Sequence, residues 1–403
     1  MAKDNRADLI RAAAAAVKKS FRGSISDVAS RALEYPSVWA STGSLALDRL
    51  CSGTNPGGVP IGPRMGRIVH IAGEWSTAKS LILDHLFRDV IVRLRGLAKV
   101  SETEGTRDPH FAEAIGLPLG LLVVDRPDTL ELAFDMFLEW HASIRREDAT
   151  IPVMWGLDSL DSTQAEKAAD KGLSEGGGWH YGGGKSEAVG AGLRKCAIEC
   201  SRYPTTVVIV NQTRDAVGSF AGPKKTTSGG NAPHFYSSLE VMLSGAPRPG
   251  HGYVRTDVQM PPLSKAAVQR LGLYNFFTKE GEAADNRGAV VGRYVRAKVS
   301  KTKVGTTFDT TADFYVDFAR GVHRWEGLAE RLMFEGRLSC GPDGASQYAM
   351  LPTGGLLAGA PDADVMKFPT KKEWLNYVAQ HPECLVVVGG IVSAEAAVRE
   401  EVS

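Results

Sequence analysis

Shortages in this 403-residue chain do the first sorting. Its five cysteines, at positions 51, 196, 200, 340 and 384, form neither a disulfide-type nor a metal-type framework. Cys196 and Cys200 lie four apart in a helix-like stretch and could share one face as half of a metal site. No Cys or His pair of ligand spacing accompanies them, so they are expected as small buried side chains, and a reducing cytoplasm fits. Long apolar runs are also missing. The longest candidate for a membrane span or secretion signal, Ala12–Val17, is short, alanine-rich and flanked by charge, so no membrane partner is expected. Neither sign of charge dominates: 47 Lys and Arg face 46 Asp and Glu, for a net +1. A nucleic-acid binder with that balance must gather its basic residues locally. There is no internal repeat. The 43% apolar and 23% charged residues are those of a soluble globular protein, and the length exceeds one ordinary core.

What is present is alternation. Apolar runs at 66–72, 121–124, 152–158 and 205–211 read as strands, and 81–94, 130–144 and 188–201 read as helices. Strands alternating with helices predict an α/β fold with a mostly parallel central sheet, whose ligands bind at the carboxyl ends of the strands. Residues 5–20 are rich in helix formers, with Leu9, Ile10, Ala13, Ala16 and Val17 at helical spacing. The expected division is 1–40 as N-terminal helix and linker, 41–326 as core, and 327–403 as a small C-terminal domain. Two glycine-rich stretches, 172–185 and 213–231, follow strand ends and so emerge on one edge.

The run Ile68–Ala72 ends in Gly73, and Glu74, Trp75, Ser76, Thr77 and Ala78 lead to Lys79-Ser80 and an apolar helix. Strand, loop and helix in that order cradle phosphate with backbone N–H groups and the positive end of the helix. Lys79 would reach the β- and γ-phosphates and Ser80 would ligate Mg²⁺. The pattern lacks its second glycine, replaced by Ala78. The alternative is an ordinary strand-to-helix turn with a surface lysine. Asp158, ending an apolar strand, supplies a second Mg²⁺ partner or is a simple cap. Glu102 or Glu104 could polarise an attacking water, or both could sit in a solvated turn, and spacing does not choose between them. Gln212 at a strand end could bond a γ-phosphate and report it to the loop behind, or merely satisfy backbone groups.

At this point the residues resemble a family. Ser41-Thr42-Gly43-Ser44-Leu45-Ala46-Leu47-Asp48, the 66–80 stretch, Asn211-Gln212-Thr213-Arg214, Thr226-Thr227-Ser228-Gly229-Gly230-Asn231 and Arg296–Lys303 look like bacterial RecA and its phage relatives. The resemblance covers roughly residues 5–326, and its most specific part is 212–231. It implies a RecA-like ATPase core using ATP and Mg²⁺, and a helical filament that pairs single-stranded with double-stranded DNA. Asp108-Pro109 matches the family's Asp-Pro, which places Glu104 at the catalytic glutamate. Phe111 and Asp108 fall where the family holds adenine, and Gln212 where it senses γ-phosphate. Residues 164–187 and 213–231 match its two DNA-binding loops. Lys301 and Lys303 match lysines that reach the neighbouring subunit's ATP, and helix 5–20 matches the arm that packs on that subunit.

Physical chemistry adds to this. Arg214, Lys224 and Lys225 can neutralise phosphates, Phe220 can stack on bases or anchor its loop, and Trp179 can stack or pin its own loop. Gly229, Gly230 and Asn231 offer a closely approachable backbone. Departures from the family are Ala78, which must accept a side chain at normal φ or shift the loop, a longer first loop, and residues 247–277 without counterpart. They fit a divergent, phage-type member working in the cytoplasm of a bacterium or phage-infected host. The rivals are a hexameric helicase-type motor on the same fold and a structural filament with little turnover.

Overall fold

The computed structural model describes residues 38–52, 62–105, 107–166, 183–215, 225–247, 253–255, 290–303, 310–324, 332, 338–340, 346–350 and 364–381. Helix 5–20, Trp179, Phe220, Lys224 and most of 247–277 lie outside them.

The core is one large sheet. Six parallel strands run in the order β7 (Leu239–Gly245), β1 (Ile68–Gly73), β5 (Thr205–Asp215), β4 (Val153–Asp158), β2 (Leu97–Glu102) and β3 (Leu122–Asp125). Beyond β7 the sheet continues as an antiparallel wing of β9 (Val290–Thr302), β10 (Thr311–Asp317) and β11 (Gly321–Val322). β6 (Lys225–Thr227) folds back on the end of β5, and β8 (Tyr253–Arg255) pairs with β9.

β1 and β4 are buried at every position, as strands covered on both faces must be. Successive side chains point to opposite faces. Val69, Ile71, Met154, Val208 and Val210 therefore join one core, while Ile68, Trp155, Leu157, Val207 and Ile209 join the other. The first is closed by α1 (Leu45–Ser52), through Leu47 and Leu50, and by α2 (Lys79–Val92), through Ile82, Leu83, Leu86, Phe87 and Val90. The second is closed by α4 (Leu130–Glu147) and α5 (Gly183–Arg202). Trp155 stacks on Phe137 of α4 at 4.4 Å and donates its Nε1–H to Ser101 Oγ at 3.0 Å, so even its polar end is satisfied. A Cβ on Gly156 would lie 2.7 Å from Leu83, and glycine is what lets α2 pack this close. Cys196 and Cys200 are buried in the second core, and burial pushes the Cys200 thiol up to about 12, so both are inert packing groups.

Two boundaries differ from expectation. α5 begins at Gly183, inside the first glycine-rich stretch, with Lys185 Nζ donating to Asp161 O at 2.9 Å. β6 turns part of the second stretch into a hairpin, because Thr213 to Asp215 find partners in Lys225 to Thr227. A small antiparallel sheet of β12 (Leu338–Ser339), β13 (Ser346–Met350) and β14 (Met366–Thr370) packs with α7 (Lys371–Gln380) around Trp374, Tyr348 and Phe368.

Candidate nucleotide and DNA site

Strand order brings together what the sequence scatters. Gly73 is level with Gln212 on β5, and Glu102 is level with Asp158 on β4. Along one edge, the strand ends therefore present Gly73, Gln212, Asp158 and the Glu102–Glu104 segment side by side. They enclose a cavity of ≈ 340 Å³ lined by Trp75 to Leu81, Glu104, Asp158, Val210 and Gln212.

The 74–78 loop is tightly closed. Thr77 Oγ1 donates to Glu74 O at 2.7 Å, and a Cβ on Gly73 would lie 2.4 Å from Leu243 O. Of the two outcomes expected at Ala78, a normal φ or a shifted loop, the first does not occur: it sits at φ +62, ψ +26. The turn into α2 demands the left-handed conformation, and alanine accepts it at a cost of about 1–2 kcal/mol. Trp75 is 76% exposed and stands at the mouth. Lys79 is buried, with its Nζ donating to Gly73 O at 3.2 Å and Glu74 O at 2.6 Å. Burial lowers its pKa, opposed by Glu104, Asp158 and Glu74. A cation resting on two neutral carbonyls is suited to an incoming phosphate.

Asp158 is buried beside the Ser80 hydroxyl. Burial raises its pKa, against the Ser80 hydrogen bond and the charge of Arg107. Such a carboxylate, short of compensating charge, fits a divalent cation shared with Ser80. Glu104 Oε1 accepts from Ser159 Oγ at 2.5 Å and from Gln212 Nε2 at 3.2 Å, so the two residues meet at the cavity wall. Glu102 instead is buried, held by Arg126 Nε at 3.1 Å and by the Arg107 backbone N–H at 3.3 Å. The geometry chooses Glu104 as the acid open to the cavity.

A second cavity of ≈ 550 Å³ adjoins the loop and includes Ala78, Asp108, Phe111, Tyr253, Arg293 and Phe318. Phe318 is 49% exposed and, with Phe111, offers a ring to a planar base. Asp108 Oδ1 caps α3 (Pro109–Ala114), accepting from His110 N and Phe111 N. Phe318, Arg293 and Tyr253 were not legible as site residues. Arg293 Nη1 bonds Ser76 O at 3.0 Å and lies 4.8 Å from the Tyr253 ring, so a wing strand braces the phosphate loop. Its one signal in the sequence is that it opens the markedly basic stretch 293–304.

On the DNA-loop side, Arg214 pairs with Asp161, which also accepts from Ser228 Oγ. Asn211 Nδ2 donates to Ser228 O at 2.9 Å, directly behind Gln212. Gly229 (φ +87) is buried against Leu160, whereas Gly230 and Asn231, the latter preceding α6 (Ala232–Tyr236), are exposed. Lys225 opens β6. Lys301 and Lys303 do not join the cavity. Lys301 is level with Glu240, and so with His70, three residues back from Gly73 and two strands over. That is roughly 10 Å along the strands and about 10 Å across them. Both lysines donate to Phe235 O, at 3.2 and 3.3 Å, and Phe235 is 68% exposed.

A phosphate loop, a buried Asp158 beside the exposed Ser80 and a cavity-facing glutamate, carried on parallel strands, define a P-loop ATPase with a RecA-like core. The model of the RecA N-terminal domain family matches residues 8–248. The chain is 31% identical to Protein RecA of Rubrobacter xylanophilus over 274 residues, 67% of this chain and 74% of that one. It is 30% identical to Protein RecA of Methylococcus capsulatus over 325 residues, 80% and 77% of the two chains. With Protein RecA 1 of Myxococcus xanthus it shares 28% over 316 residues, 78% and 77%. The chain belongs to the RecA family. It is a DNA-dependent ATPase and an ATP-dependent recombinase of DNA recombination and repair, using ATP with Mg²⁺, binding single- and double-stranded DNA and forming filaments. Among the described residues no helix is long and apolar enough to cross a membrane.

Proposed function

We propose how this chain's residues divide that work. The backbone of 73–78 and Lys79 bind the phosphates, and Ser80 with Asp158 holds Mg²⁺, which when bound neutralises phosphate charge. Phe111 and Phe318 hold the base. Glu104 orients the attacking water. Gln212, bonded to Glu104 and adjoining Asn211, which holds Ser228, passes occupancy to the 213–231 loop. Arg214, Lys224, Lys225, Phe220, Trp179, Gly229, Gly230 and Asn231 serve DNA, with Arg214 exchanging Asp161 for a phosphodiester.

Lys301 and Lys303 complete the neighbour's site rather than their own, since their strand end lies away from the cavity. The edge strand β3, which pairs on one side only among the described residues, has Val123 (42%) and Val124 (49%) exposed and is preceded by exposed Leu121 (62%), and it supports a second interface suited to strand addition. Residues 1–40 supply the packing arm, 41–326 the core and 327–403 a small C-terminal domain. The setting is the cytoplasm of a bacterium or a phage-infected host, and the protein is a phage-type member.

One observation carries this reading: Glu104 and Gln212, 108 residues apart, meet on the wall of the cavity that holds Lys79 and Asp158. Glu104→Gln should cut single-strand-stimulated ATP hydrolysis by about 10²–10⁴-fold while filaments persist. Normal hydrolysis by that variant would remove Glu104 from the role. Persistent filaments with negligible turnover in the parent protein would favour the structural-filament rival.

A further inference from the structure

Between the phosphate loop and α3 lies a cavity of ≈ 220 Å³ lined by five carboxylates, Asp84, Glu102, Glu104, Asp108 and Asp158, and, among the described residues, by one cation, Arg107. Three of the acids have other occupations. Glu102 is held by Arg126, Glu104 by Ser159 and Gln212, and Asp108 caps α3. Asp84 is left to Arg107, and Asp158 has Arg107 beside its Ser80 hydrogen bond. Its Nη1 pairs with Asp84 of α2, and its Nη2 lies 3.5 Å from Asp158 Oδ2. All three side chains are 11% exposed or less, so water screens the charges poorly. Burial lowers the pKa of Arg107, with Asp158 opposing.

The placement has two consequences. Arg107 lies three residues after Glu104, so its pair with Asp84 ties the Glu104 segment to the helix that carries Lys79 and Ser80. Its other arm rests near the carboxylate that Mg²⁺ would use. We propose that Arg107 is a positioning residue that also stands in for the divalent cation: it partly neutralises Asp158 while the metal is away, and so sets how much Mg²⁺ nucleotide binding requires. This rests on the reading of Ser80 and Asp158 as the Mg²⁺ pair. A tie alone could be made by two apolar side chains. Only the charge competes with a metal.

The test uses the full chain and four variants: Arg107→Leu, the double variant Asp84→Leu with Arg107→Leu, Arg107→Lys, and Asp158→Asn. Two quantities are read: the melting temperature without metal, and the Mg²⁺ concentration giving half-maximal binding of a fluorescent, non-hydrolysable ATP analogue. Arg107→Leu should melt lower because Asp84 is left buried without its partner. The double variant should regain only part of the melting temperature, since Asp158 still lacks Arg107, yet reach half-maximal binding at roughly fivefold less Mg²⁺ than the parent. Arg107→Lys should stay near the parent Mg²⁺ value. If the double variant has the parent's Mg²⁺ requirement, or a higher one, the proposal is overturned and Arg107 is a tie only. The double variant carries the test should Arg107→Leu fail to fold. Asp158→Asn separates the two readings: an unchanged Mg²⁺ requirement there would overturn the Ser80–Asp158 assignment itself.

Discussion

Two buried carboxylates, at the two ends of the same sheet, have opposite lives. Asp158 sits at the carboxyl edge, where burial raises its pKa and the Ser80 hydroxyl and Arg107 only partly offset it. Glu240 sits at the amino end of β7, in the lysine corner. Burial would raise its pKa too, but hydrogen bonds from His70, Ser300 and His234 outweigh it and bring it down to about 2. His234 Nδ1 reaches it at 2.8 Å, Ser300 Oγ at 2.8 Å and His70 Nδ1 at 3.4 Å. The Glu240 corner is finished within one chain and serves as a platform for Lys301 and Lys303. The Asp158 edge is under-compensated, which suits the cation-holding role proposed for it. A saturated acid marks a place that must be rigid, and an under-compensated acid marks a place that must bind.

The largest expected effect comes from breaking the corner's offering. Lys301→Ala with Lys303→Ala should leave ATP-analogue binding by the isolated chain nearly intact while lowering filament turnover by about 10³-fold, as loss of a charge supplied in trans does. Equal loss of binding and turnover would place the lysines in their own chain's site. A middling effect is expected at Glu240. A folded pKa below the ordinary 4.5 gives stability that is complete above that value and is lost as pH falls towards about 2. Glu240→Gln should therefore cost about 1–3 kcal/mol at neutral pH, and the gap between variant and parent in urea melts should narrow from pH 4.5 downwards. A gap that stays constant with pH would mean the Glu240 contacts are not charge-dependent. The smallest effect is at Ala78. Replacing it with glycine relieves the left-handed conformation and should stabilise the chain by roughly 0.5–1 kcal/mol in thermal melts. Destabilisation would show that the methyl group packs usefully against α2.

These regions were unequally legible in the sequence. The parallel sheet could be read because Val153–Leu157 and Val207–Val210 are unbroken runs without a polar residue and Val69–Ala72 is interrupted by His70 alone, and Lys79, Ser80 and Asp158 because their partners are local or lie at strand ends. The choice of Glu104 over Glu102 needed family resemblance, since it depends on which acid Arg126 happens to hold. Arg107, Phe318 and Arg293 were invisible. Each acts across more than twenty residues of chain on a group from another element, and neither composition nor periodicity encodes such meetings. The φ of Ala78 stays open in the sequence for a related reason: a side chain that fits a normal helix entry does not reveal that the preceding turn dictates the opposite.

In the proposed arrangement an active site is made from two chains, the Glu104 edge of one and the lysine corner of the next. Mixing tests it most directly. Glu104→Gln chains and Lys301→Ala, Lys303→Ala chains, each inactive alone, are combined in equal amounts on single-stranded DNA, and ATP hydrolysis is measured. In a head-to-tail filament with random order, about a quarter of interfaces join an intact edge to an intact corner, so about a quarter of parental turnover should return. Turnover no higher than that of either variant alone, in filaments shown to contain both, would contradict the shared site.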